Sequence, residues 1–167
     1  MDDEGQRAPP PVGFAKVSRL ETARRAIGSV GGLPFTPMAT FDDVRRIALG
    51  LPGTDERVSR GHAQWRVNGK LFVWERPLGK KDIDWMGSRM RDAPILGARV
   101  EHLIAKEAVL ADDPAVFFTT PHFDGYPAIL AWLDRIDEQP LRETIIEAWL
   151  VRAPKKMADA YLAGRAE

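Results

Sequence analysis

The stretch HAQWRVNGKLFVWE, residues 62–75, decides the fold. Its two halves are rich in β-branched and aromatic residues, and Asn68-Gly69 between them suits a two-residue turn. The stretch predicts a β-hairpin in which His62 to Val67 pairs with Lys70 to Glu75. With 68–69 as the loop, Val67 faces Lys70, Trp65 faces Phe72 and Ala63 faces Trp74. Side chains alternate across a strand, so Trp65, Phe72 and Trp74 are expected to share one apolar surface. Gln64 and Arg66 fall on the other face beside Leu71 and Val73, which leaves that face mixed.

On the amino side of the hairpin, Phe41, Val44, Ile47, Ala48 and Leu51 form one apolar stripe at helical spacing. Thr40 can cap this helix, and Asp42 and Asp43 suit its positive end. Leu51-Pro52-Gly53 stops it, because the residue before a proline avoids helical geometry. On the carboxyl side, Lys80 to Trp85 and Val100 to Ala105 are expected as short strands, the second with Glu101 and His102 on opposite faces. Asp112-Asp113-Pro114 predicts a helix start running through Phe118. Thr119 to Tyr126 reads as a loop, and Ala128 to Ile136 as a central strand. Pro140 opens a helix carrying Leu141, Ile145 and Trp149, and Pro154 interrupts it. Met157, Ala158, Tyr161 and Leu162 make a last stripe ended by Gly164. The order predicts an α+β domain, an antiparallel sheet with helices packed on one side.

The whole chain has 167 residues, 44% apolar and 29% charged. That suits one folded domain with a core of its own. Residues 1–13 are acidic, proline-rich and without hydrophobic period, so they bury too little to offset their ordering entropy. Phe14, Val17, Leu20 and Ala23 allow a short amphipathic helix over 15–28. Residues 1–37 are read as an extension, 38–164 as the domain and 165–167 as a tail. The other reading of the amino end is that Met38 is the native start. The absence of cysteine excludes disulfides, thiol catalysis and Cys-ligated metal. No apolar run approaches a membrane span, and the amino end does not resemble a secretory signal, so a cytoplasmic protein without membrane contact is expected.

Lys and Arg total 24, as do Asp and Glu, but the charges are unevenly spread. Residues 57–99 hold ten basic residues against four acids, and 101–147 hold ten acids against three basic residues. A basic half suits a polyanion, since phosphate contacts release counterions. The candidate contacts are Arg57, Arg60, Arg66, Lys70, Lys80 and Lys81, with Arg66 and Lys70 flanking the hairpin turn like a wing. The competing reading is that the two halves neutralise one another through surface pairs.

Sites for chemistry are sparse. His122 and Asp124 stand two apart in the 119–127 loop, ahead of Tyr126. They could form a base oriented by a carboxylate, or metal ligands with His62. The plainer reading is a turn hydrogen bond from Asp124 and a cap from His122 on the 114–118 helix. No serine lies in a nucleophile elbow, and the glycines form neither a P-loop nor a dinucleotide fingerprint, so no cofactor and no enzyme activity are expected. The large aromatics fall on apolar faces and read as core.

The runs FDDVRRIALGLPGTDE (41–56) and HAQWRVNGKLFVWERP (62–77) together resemble the MmcQ/YjbR-like family. The residues that carry the likeness are Leu51, Pro52, Gly53, Glu56, Trp65, Gly69, Lys70 and Phe72, with His122 just before the last strand. The resemblance covers Met38 to Leu162. It implies an α+β fold of the CyaY-like, double-wing type and a DNA-binding role, and it carries over no catalytic residues. DNA binding mainly through phosphates is therefore the functional expectation. The alternative is a protein-interaction or small-ligand module built on His122, Asp124 and Tyr126.

Overall fold

The structure is a computed structural model and describes residues 38–166. The extension 1–37, with the helix expected over 15–28, lies outside the described residues. Helix α1, Phe41–Leu49, forms as the sequence predicts. Thr40 is extended and closes a capping box with Asp43, which satisfies N–H groups that a helix start leaves open. Val44, Ile47 and Ala48 are buried. Leu51-Pro52-Gly53 then turns the chain. The Pro52 carbonyl accepts a hydrogen bond from the Trp149 indole at 3.0 Å, so the helix stop is fastened to the far end of the domain.

Six antiparallel strands make one sheet: β1 Thr54–Ser59, β2 His62–Val67, β3 Lys70–Glu75, β4 Ile95–Arg99, β5 Phe117–Phe118 and β6 Ala128–Trp132. Their order is β1-β2-β3-β4-β6-β5. The β2–β3 hairpin turns on Asn68 (φ 49°) and Gly69 (φ 77°), both left-handed, as a tight hairpin turn demands. Val67 pairs with Lys70 and Arg66 with Leu71, but the register then shifts, so that Trp65 pairs with Val73 and Gln64 with Trp74. Phe72 is the extra residue of a β-bulge, and the expected pairs Trp65–Phe72 and Ala63–Trp74 do not form. The bulge changes faces. Phe72 and Val73 both join Trp65 in the larger core, whereas Trp74 moves to the opposite side of the sheet. Apolar layers lie on both sides, and the bulge lets β3 supply each of them.

Four segments differ from expectation. Lys80 to Trp85 is not a strand but lies in helix α2, Lys80–Met86. Asp82 and Met86, one turn apart, face inward while Ile83 and Trp85 stay exposed. A buried acid on the inner face, bonded to Arg76 at 3.4 Å, hides the helical stripe. The strand expected at Val100 to Ala105 lies at Ile95–Arg99, and His102 caps helix α3, Leu103–Asp112, its Nδ1 accepting the Ala105 N–H at 3.0 Å. No helix runs from Asp112 through Phe118; α3 ends there and Phe117–Phe118 is β5. The long apolar strand stops at Trp132 and continues as a 3-10 turn, Leu133–Arg135. Helices α4, Glu138–Arg152, and α5, Lys155–Arg165, follow, separated at Pro154.

The first face of the sheet carries α1, α3, α4 and α5. Helix α4 lies across β3 and β4, where Leu141, Ile145, Ala148 and Trp149 are wholly buried. Their spacing of i, i+4, i+7 and i+8 is that of one helix face. The second face carries Trp74, Ile95, Leu130 and Trp132, packed with Met86 of α2 and with Phe123 in the 3-10 turn Pro121–Phe123. The result is the expected α+β arrangement, with α2 on the second side as the one α-helix there among the described residues.

Candidate nucleic-acid interface

Strand alternation decides which basic side chains meet. On β2, Trp65 and Val67 enter the first core, so Gln64 and Arg66 belong to the second face. Asp55 pairs with Arg66, and Arg57 with Gln64, which puts both β1 residues on that face too. On β4, Ile95, Gly97 and Arg99 share it, Arg99 opposite Ala128. Arg66, Leu71 and Arg99 thus form a row across β2, β3 and β4 near the Asn68-Gly69 turn. Arg66 donates to the Gly69 carbonyl at 3.1 Å and to Gln64 Oε1 at 3.0 Å, both neutral acceptors. Arg99 has no carboxylate partner among the described residues; its guanidinium lies over the Tyr126 ring at 4.5 Å. Arg57 is tied to Asp55 at 2.9 Å. The row therefore carries two uncompensated positive charges beside an aromatic ring that is 47% exposed.

The loop that presents Tyr126 is held from below. Lys106 of α3 is only 6% exposed, and its Nζ donates to the carbonyls of Phe123 at 2.6 Å and Tyr126 at 3.0 Å. Burial pushes its pKa below the ordinary lysine value, an effect that the Asp124 charge opposes. His122 is exposed, set edge-on to Phe123 at 4.9 Å. Its expected cap on a 114–118 helix does not form, because β5 occupies that position. The described residues show no hydrogen bond between His122 and Asp124, and no group of three His, Asp or Glu side chains that could hold a metal ion.

The YjbR family model matches residues 49–151. This chain belongs to the YjbR family. Similar sequences include the uncharacterized protein Rv2570 of Mycobacterium tuberculosis and the uncharacterized protein Mb2600 of Mycobacterium bovis. Each is 50% identical over 129 residues, covering 75% of this chain and 98% of the relative. The crystal structure of Deinococcus radiodurans protein DR2400, with a DUF419 domain, is similar at a TM-score of 0.54 and 19% identity. That match covers 78% of this chain and 91% of the other, and it shows a shared fold.

Within this YjbR-family chain the six basic residues singled out from the sequence are dispersed. Arg57 and Arg66 share the second face. Lys70 is paired with Val67, whose side chain enters the first core, so it points away from Arg66. Arg60 sits in the β1–β2 turn with φ 51°, at the opposite end of β2 from Asn68-Gly69. Lys80 and Lys81 open α2 and are exposed. Arg99 was absent from the sequence-based set. The alternation Ile95, Gly97, Arg99 would have pointed to it once the strand was placed at 95–99.

A groove of about 400 Å³ lies at the other end of the second face, lined by Arg76, Leu78, Met90, Arg91 and Ile95 among others. Its guanidiniums are compensated, Arg76 by Asp82 and Arg91 by Asp134. Neither His122 nor Tyr126 lines it. Among the described residues no helix is long and apolar enough to cross a membrane.

Proposed function

We propose that this protein is a non-enzymatic DNA-binding protein that holds the backbone phosphates on the second sheet face, with Arg66 and Arg99 as its principal contacts. One observation carries the reading: two guanidiniums on one face have only neutral or aromatic partners. Arg45, Arg46, Arg76 and Arg91 are matched to carboxylates, while Arg89 and Arg135, like Arg66, bond neutral carbonyls. A guanidinium without an internal anion is available to an external one, and phosphate fits its planar fork. No side chain in the row is placed to read a base edge, so affinity would come from the sequence-independent electrostatic contribution.

Fluorescence anisotropy of the full chain with labelled DNA tests this. Wild type is expected to bind at low salt, and the Arg66→Ala/Arg99→Ala double variant to lose most of that binding. No binding by wild type at about 50 mM salt, where electrostatic attraction is strong, would refute the proposal.

A further inference from the structure

The second sheet face also indicates which form of nucleic acid it would hold. We infer that the preferred ligand is a single strand, with a base stacked on Tyr126 and the adjoining phosphates at Arg99 and Arg66. This rests on the DNA-binding reading above and adds strand state and base contact to it.

Two observations favour a single strand over a duplex. Arg66 is folded back onto its own hairpin through Gly69 and Gln64, and Lys70 belongs to the other face. The turn therefore lacks the pair of projecting cations that a wing lying along a duplex groove would use. What the structure offers instead is a sheet surface with an exposed aromatic at its border. Tyr126 is 47% exposed, Arg99 lies against its ring, and Lys106 fixes the backbone of its turn. An aromatic ring held in place accepts the face of any unpaired base, whereas a base inside a duplex has no face to offer.

The charges also orient the strand. Asp124, two residues before Tyr126, is exposed and would repel phosphate. Arg99 on β4 and Arg66 on β2 are two strands apart, or about 10 Å at ~4.8 Å per strand. A backbone running from Tyr126 across Arg99 towards Arg66 meets both positive charges and passes over Leu71. DNA and RNA single strands share the chemistry used here, a base face and a phosphate.

The test is anisotropy of the full chain at about 50 mM salt with four labelled probes of matched length. They are single-stranded DNA, single-stranded RNA, duplex DNA and duplex RNA. Wild type, Tyr126→Phe and Tyr126→Ala are compared, with circular dichroism to confirm folding. The inference expects at least one single strand to bind three-fold or more tighter than its duplex. Tyr126→Phe should retain that affinity and Tyr126→Ala should lose roughly five- to a hundred-fold. The better single-stranded probe would then name the sugar. Duplex bound as well as the single strands, or Tyr126→Ala within two-fold of wild type, would overturn the inference while leaving the phosphate reading in place. No binding to any probe would overturn both.

Discussion

Trp74 lies directly over Gly97. The two residues are cross-strand partners on β3 and β4, and the indole occupies the space that a Cβ at residue 97 would need. Only glycine lets the ring descend onto the sheet there, beneath the layer that contains Met86 and Phe123. Gly97→Ala is therefore expected to destabilise the fold by about 1–3 kcal/mol, the usual cost of forcing extra volume into a packed layer. Urea denaturation would measure it, and an unchanged midpoint would show that Trp74 can move aside freely.

Salt dependence separates the sheet-face contacts from a hairpin wing. With the two phosphate contacts of Arg66 and Arg99, duplex-DNA affinity should fall by about 12-fold between 50 and 200 mM salt. Arg99→Ala should lower the slope of log K against log salt by about 1. Lys70→Ala, which alters the first face, should leave it nearly unchanged. The reverse pattern would return the contact to the turn.

Lys106 should matter to Tyr126 without touching a ligand. Lys106→Met keeps most of the side-chain volume but removes two hydrogen bonds to loop carbonyls. The expected cost is about 1–3 kcal/mol of stability. Nucleic-acid affinity should fall further than the lost charge explains, because the 121–126 turn loses its anchor. Tyr126 fluorescence cannot be isolated among five tryptophans, so amide hydrogen exchange at residues 121–128 is the suitable readout.

The α1 cap gives a pH signature. The Thr40 backbone N–H, bonded to Asp43 Oδ2 at 2.9 Å, is the main reason that the Asp43 carboxyl lies below its ordinary value of 3.8; partial burial opposes this and Arg46 assists it. The unfolded chain therefore takes up this proton first as pH falls. The stabilisation is fully present above about 3.8 and is lost as pH drops through the lower, folded-state pKa. Asp43→Asn should cost about 0.3–1 kcal/mol at pH 7. Its gap from wild type in urea melts should narrow below pH 4; a constant gap would mean that the charge contributes nothing.

The elements legible in the sequence are those whose signals are local. Thr40 with Asp43, the stop at Leu51-Pro52-Gly53 and the Asn68-Gly69 turn each act within a few residues, and each forms where expected. The bulge at Phe72 is hidden because it answers to a second apolar layer supplied by residues from Met86 to Trp132, far along the chain. In 80–86 an inward Asp82, satisfied by Arg76, inverted the hydrophobic stripe and gave a helix the look of a strand. In 95–99, Gly97 makes a central strand resemble a loop, so the pattern points to Val100–Ala105 instead of Ile95–Arg99 and conceals Arg99. The candidate site was thus half visible: Arg66 and Tyr126 stood in separate hypotheses, and only the strand between them shows that they share a face.

The position of α4 bears on how the protein is made. Its Leu141, Ile145 and Trp149 complete the core over β3 and β4, yet they are synthesised some seventy residues after that hairpin. Chains grow from the amino end, and exposed apolar strands of a half-made sheet invite association with other chains. While the ribosome is still translating the middle of this message, Trp65 and Phe72 have only α1 beside them, Phe41 stacked on Trp65, and lack α4. The hairpin can form early, but burial of its inner face waits until residues beyond Arg152 have left the exit tunnel. A message cut short in that interval yields a sticky sheet rather than a smaller stable protein.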